Sequence, residues 1–207
     1  MFLNKSILLG GCVAALMALS SCDNKQRNQQ IREEAQREIF QKKLSEKALK
    51  EQITIEDNKV HGLVSKINQK EELSEFELQI KELDIDECLV NKGVFTVFAP
   101  INEAFEDKNL DILDNESVNY NKAEAKTALK YHLVKNKWTT EKLTSEIINS
   151  GGSLELTTQN GSSIQAELDK SAIILNDNYG NSARIITSDI SPSNGSLFII
   201  DNVLRAD

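Results

Sequence analysis

Residues 93–105, GVFTVFAPINEAF, decide the reading of this chain. Val94, Phe95, Val97 and Phe98 form a β-rich apolar run that meets Ala99-Pro100. Proline has no N–H to give to a ladder, so the spacing predicts that the strand stops there. Asn102-Glu103-Ala104-Phe105 follows at once and reads as a capped turn. The Asn102 side chain is expected to accept from the unpaired N–H groups of that same turn. A buried strand, a break and a cap in so short a space make a core device rather than a reactive one.

Outward from this stretch the chain is helical in front and β-rich behind. Segments 59–69 and 72–83 read as helices, the second with Leu73, Phe76, Ile80 and Leu83 three and four apart. Asp84-Ile85-Asp86 ends it, and Asn91-Lys92-Gly93 turns into the strand. Asn121-Lys122-Ala123-Glu124 is a capping box in its Asn form. It opens a helix with Ala125, Ala128, Leu129 and His132 on one face, and 140–148 is a shorter helix before Gly151-Gly152. Beyond it, Leu154 and Leu156 alternate with polar residues, Asn160-Gly161 is a hairpin turn, and Ile164, Ala166 and Leu168 alternate on the return. Strands are expected at 172–176, 184–190 and 196–204. The class is α+β.

Residues 1–21 read as a signal segment. Lys5 is a short positive region, and 7–19 is apolar but too short to span a bilayer comfortably. The segment ends Leu19-Ser20-Ser21-Cys22, an aliphatic residue and two small residues before a cysteine, which resembles a bacterial lipobox. That resemblance implies cleavage before Cys22, which leaves its amine as the new N-terminus, with lipid on its thiol and at least two acyl chains. Two or more acyl chains (palmitate, for example) anchor stably where one does not. An ordinary secretory signal is the alternative. The leaflet and membrane stay open, because the meaning of Asp23 differs between bacteria. Of three cysteines, Cys12 leaves with the signal and Cys22 takes lipid, so Cys88 remains and no intramolecular disulfide forms. Cys88 sits in the apolar pattern Ile80, Leu83, Ile85, Leu89 and reads as a buried small hydrophobe.

Residues 22–52 read as a charged helical tether. From 23 on it holds no Gly or Pro, and Glu33–Arg37, Glu38–Lys42 and Glu46–Lys50 stand four apart in the favourable order. Ile31, Ala35, Ile39, Leu44 and Ala48 give an apolar stripe too irregular for a coiled coil. Stretch 23–52 has 8 Lys/Arg against 6 Asp/Glu, a mildly basic balance that suits an anionic lipid surface. Residues 53–207 have 15 Lys/Arg against 26 Asp/Glu, which argues against nucleic acid as a partner. Their length is one domain's worth.

Four blocks in order resemble the fasciclin (FAS1) domain family over roughly 58–205. They are the helix from Leu73 through Leu89, GVFTVFAPINEAF, LKYHLVKNKWTTEKL at 129–143, and ARIITSDISPSNGSLFIIDNVL at 183–204. The resemblance implies a wedge of two small β-sheets flanked by several α-helices, with the tether in front. It marks Thr96, Phe98, Pro100, Asn102, Asn194, Gly195 and Asp201 as framework positions. Ile101, Asn136, Phe198 and Ala206 depart from the family pattern, which usually has Thr, Gly, His and Pro there. Asp189 and Asp201 are expected to hydrogen-bond backbone or Tyr/Thr groups in the wedge.

Candidate chemistry is sparse. His61 has no acidic or Cys partner at ligand spacing and reads as a surface residue at a helix start. His132, in Tyr131-His132, is the one histidine a triad could use, but no serine lies in a G-x-S-x-G elbow. No HExxH, CxxC or P-loop occurs, and Asp84-x-Asp86 has Leu89 where a calcium loop needs Gly. No metal or other cofactor is expected. In some animal family members the Tyr-His region and a short run similar to DKNLDIL at 107–113 are linked to adhesion. This makes Tyr131, His132, Asp111 and Ile112 candidate binding residues, each with a structural alternative. Trp138, the single tryptophan, is a further candidate. The expected function is a non-enzymatic, membrane-anchored lipoprotein of a bacterial envelope, at the outer membrane or cell surface. It would mediate adhesion or bind extracellular protein or glycan. The alternative is a periplasmic structural or assembly module. An enzyme or small-ligand carrier would require a deep pocket with convergent polar groups.

Overall fold

The computed structural model describes residues 8–91, 93–106 and 120–205. The chain divides into two units, Met1–Gln52 and Ile53–Asp207. Helix α1 (Leu8–His61) starts inside the segment read as a signal, where Leu and Ala are strong helix formers. Between Asn24 and Gln52 every side chain is exposed, among them Ile31, Ile39, Phe40, Leu44 and Leu49. The helix there rests on propensity and local pairs such as Gln29–Glu33 at 3.3 Å. Among the described residues no helix is long and apolar enough to cross a membrane.

In the second unit the helix expected at 59–69 is two helices. Gly62 breaks it and is the N-cap of α2 (Leu63–Asn68). A Cβ on Gly62 would stand 2.2 Å from the Asn58 carbonyl oxygen, so only glycine fits. His61 therefore closes a helix instead of opening one, and its Nδ1 lies 3.0 Å from Asp57 Oδ1, one turn back. A 3-10 turn (Glu71–Leu73) leads into α3 (Ser74–Glu82). The expected stop at Asp84 holds, with Asp84 at φ +52°. A further short helix, α4 (Asp86–Asn91), follows at once.

Strand β1 (Phe95–Pro100) is buried at all six positions. Pro100 is its last residue. The odd-numbered residues donate to one neighbouring strand, as in Phe95 N to Asn194 O and Ile101 N to Ile200 O. The even ones face the other neighbour, as in Phe98 N to His132 O. Proline's missing N–H thus falls on the side where the partner strand has already ended, and pairing on the opposite side continues one residue further. Asn102 lies in a 3-10 turn (Asn102–Glu106). Its Oδ1 accepts from Glu75 N at 3.0 Å and its Nδ2 donates to Glu71 O and Ser74 Oγ. It caps α3, not its own turn as its local sequence suggests.

After α5 (Lys122–Tyr131) come β2 (Leu133–Lys135), α6 (Thr140–Asn149), β3 (Ser153–Thr157), β4 (Ser163–Asp169), β5 (Ala172–Asn176), β6 (Ser182–Ile190) and β7 (Gly195–Ile200). The strand β2 has no period long enough to read. The Asn121 cap forms through Oδ1 to Ala123 N at 3.0 Å, while Glu124 meets the Asn121 amide rather than its backbone. The strand expected to reach 204 ends at Ile200; Asp201 N still donates to Arg184 O, while Leu204 N and Arg205 N donate to the side chains of His132 and Asp177. The order β2-β1-β7-β6-β5-β4-β3 is two small sheets sharing β6, whose pairing with β7 shifts register around Thr187. Among the described strands only β1 and β7 pair in parallel. A bridge from Val134 to Thr158 and a 2.7 Å bond from Gln159 N to Leu133 O bring the two outer strands together.

The two central strands feed two cores with a period of two. Val97, Ala99, Leu197 and Ile199 join Leu63, Ile67, Phe76, Ile80 and Leu129 under the helices. Phe98, Phe198 and Ile200 join Tyr131, Leu143, Ile147, Leu156, Ile164 and Leu175 between the sheets. Phe98 and Phe198 stack with ring centroids 5.5 Å apart. Phe198 stands where the family pattern has His, and here it is core.

Candidate functional site

Three side-chain hubs hold the wedge, and a hollow opens beside the Trp138 loop. At the first hub α5 ends at Tyr131, His132 is its C-cap, and β2 starts at Leu133. Tyr131 is fully buried and its hydroxyl donates to Ser163 O at 2.6 Å, tying α5 to β4. His132 is equally buried, and its Nε2 accepts from Leu204 N at 3.1 Å. An accepting Nε2 places the proton on Nδ1 in a neutral ring. Nδ1 has no partner in hydrogen-bond geometry. Burial lowers the His132 pKa to about 4, against the weaker opposing pull of the Ala128 carbonyl and the Asp177 charge. Phe76 and Tyr131 meet the ring edge-on, each with centroids 6.4 Å away. A neutral imidazole walled by aromatics and bonded to a backbone N–H cannot reach a solvent-borne substrate. Tyr131 and His132 offer no surface, as their structural alternative in the sequence expects.

The second hub is Asp177, which the sequence reading missed. Oδ1 accepts from Tyr179 N and Asn181 N, and Oδ2 from Asn181 Nδ2 and Arg205 N, all at 2.8–2.9 Å. Asp followed two residues on by Tyr-Gly carries a turn signal for the local bonds, though not for Arg205. The third hub is Asn194. Its Oδ1 caps α2 at Leu63 N (2.8 Å) and its Nδ2 donates to Leu89 O (2.6 Å). Beside it, a Cβ on Gly195 would stand 1.9 Å from the Phe95 carbonyl oxygen. Asp201 Oδ1 accepts from Arg184 N at 2.7 Å. Asp111 and Ile112 lie outside the described residues, as do the side chains of Cys22 and Asp189.

Of the described binding candidates, Trp138 alone reaches solvent. Thr96, buried in β1, donates its hydroxyl to Asn136 O and accepts from Trp138 N, both at 2.8 Å. The two bonds clamp the β2–α6 loop onto the central strand. Asn136 sits at φ +72°, which explains the family's glycine there and why asparagine is tolerated. Thr139 caps α6 by accepting from Lys142 N at 3.2 Å. Lys142 Nζ lies 4.2 Å above the half-buried Trp138 ring, in cation–π range. Lys137 Nζ donates to Ser191 Oγ at 2.7 Å. The result is a hollow of about 250 Å³ between Trp138, Thr139, Glu141, Ile190, Ser191, Ser196 and Phe198. It offers an aromatic edge, hydroxyls and one carboxylate on rigid elements. Among the described residues no group of three His, Cys, Asp or Glu could hold a metal ion.

The Fasciclin domain family model matches residues 71–206. Human periostin is 32% identical over 141 residues, 68% of this chain and 15% of periostin. Protein sll1483 of the cyanobacterium Synechocystis sp. is 29% identical over 125 residues, 60% of this chain and 62% of that protein. The chain thus spans less than two thirds of either relative. A FAS1 domain pair from the insect cell adhesion molecule fasciclin I superposes with a TM-score of 0.58 at 21% identity, over 70% of this chain and 50% of that one. Flanking helices, two sheets sharing a bulged strand and the buried Tyr-His hub thus sit on a matched family model, and the chain belongs to the fasciclin-domain family.

Proposed function

We propose that this chain is a non-enzymatic fasciclin-type lipoprotein that binds extracellular protein or glycan through the hollow at Trp138. Fasciclin domains are adhesion and binding modules. The observation that carries the reading is the Trp138 loop itself. The clamp from Thr96 and the cap at Thr139 fix an aromatic residue beside the hydroxyls of Ser191 and Ser196. A rigid aromatic with adaptable polar neighbours is the usual chemistry of recognition surfaces. Lipid at Cys22 would hold the domain to the envelope, with the exposed helix of residues 24–52 as spacer, at the outer membrane or cell surface.

The test has two arms. The full chain is screened on protein and glycan arrays beside Trp138→Ala, and the variant is expected to lose at least tenfold in binding while keeping its fold. Equal binding by both would overturn the hollow as the site. Cells fed an alkyne fatty acid should label the wild type and not Cys22→Ser, and protease added to intact cells should digest the domain. Survival of the domain in intact cells would favour a periplasmic assembly role instead.

A further inference from the structure

A second pocket, lined by none of the residues of the Trp138 hollow, has a chemistry of its own. It encloses about 230 Å³ between α4, α5, β1, β2 and the β3–β4 turn. Ile85, Leu89, Phe95 and Leu133, all nearly inaccessible to water, are its apolar walls. Lys126 and Lys130, both half-buried, line it from α5. Two ammonium groups four apart on one helix face repel each other and weaken the helix. Among the described residues neither forms an ion pair. The arrangement is the more unusual because residues 53–207 carry 15 Lys/Arg against 26 Asp/Glu. Asp84, the one carboxylate in the lining, is met by Lys122 Nζ at 3.4 Å, so its charge is countered from outside. The Gln159 side chain adds a neutral polar group, and Cys88 lies in the wall.

We propose that this pocket binds a small amphipathic monocarboxylate, its carboxylate at Lys126 and Lys130 and its hydrocarbon part against Ile85, Leu89, Phe95 and Leu133. Lysine stems lie along apolar surface while the charged head stays at the water boundary, which puts cations at the mouth and hydrocarbon inside. The volume holds roughly eight water-sized groups at about 30 Å³ each, the size of a six-carbon acid. This ligand class is independent of the Trp138 reading and goes beyond contact adhesion.

Cys88 supplies the readout. With Cys12→Ala and Cys22→Ala in the full chain it is the sole thiol. Its modification by an uncharged maleimide is followed with sodium hexanoate, with 1-hexanol, and with sodium chloride at equal ionic strength. Hexanoate is expected to slow labelling at least threefold and to saturate, while hexanol and chloride leave the rate unchanged. Lys126→Gln with Lys130→Gln should lose the protection, the rate with hexanoate being compared with that variant's own rate without ligand. The Lys→Arg pair keeps the charge and should keep the protection. No slowing by hexanoate, equal slowing by hexanol, or protection surviving in the Gln pair would each overturn the proposal.

Discussion

His132 couples the fold to acidity. Its pKa stands near 4 in the folded chain and near 6.5 in a free histidine, so the unfolded state binds more protons between those values. Stability is therefore fully present above about pH 6.5 and drains as pH falls toward 4, by on the order of 3 kcal/mol. Protonating Nε2 would also break the bond from Leu204 N. Urea midpoints measured from pH 7 to pH 4 should fall steeply, and His132→Gln should flatten that window while lowering stability throughout. Tyr131→Phe leaves the Ser163 carbonyl without its hydroxyl donor in the core. A loss of about 1–2 kcal/mol in urea unfolding is expected, with no change in fold.

At the scale of elements, caps reach across the chain. Asn102→Ala should remove about 1 kcal/mol by uncapping α3, 27 residues away in sequence. Gly195→Ala drives a methyl into the Phe95 carbonyl and should cost about 3 kcal/mol or more; thermal unfolding of the two variants would rank them. These cases show what the sequence could carry. Periodicity and turn chemistry are local, so α5, α6, the Asn160-Gly161 hairpin and strand β5 were legible from their own residues. The partner of a capping side chain is chosen by tertiary approach. Asn102 and Asn194 thus read as polar turn residues, yet serve helices far behind them. The break at Gly62 was hidden for the same reason, since the Asn58 carbonyl clash exists only in space. Trp138 could be singled out as the lone tryptophan. The Lys126–Lys130 pocket could not, because its walls come from five separate elements.

Taken as a molecule, the chain is a long exposed helix and a domain with two cores. Isolated helix without an apolar partner frays readily, whereas residues in a shared core open only with the whole domain. Amide hydrogen exchange on the full chain should show fast exchange across residues 24–52 and slow, cooperative exchange at Val97, Phe98, Leu197 and Phe198. Uniform protection through both regions would mean that the helix has a stable partner. The parallel pairing of Phe95 with Gly195 at the centre of the sheet joins residues 100 positions apart. A polypeptide emerging from its amino end cannot complete that pairing until Gly195–Ile200 have appeared. Premature termination at residue 194 would leave both cores open at once, with no shorter stable form to fall back on, so the domain matures late and as a whole.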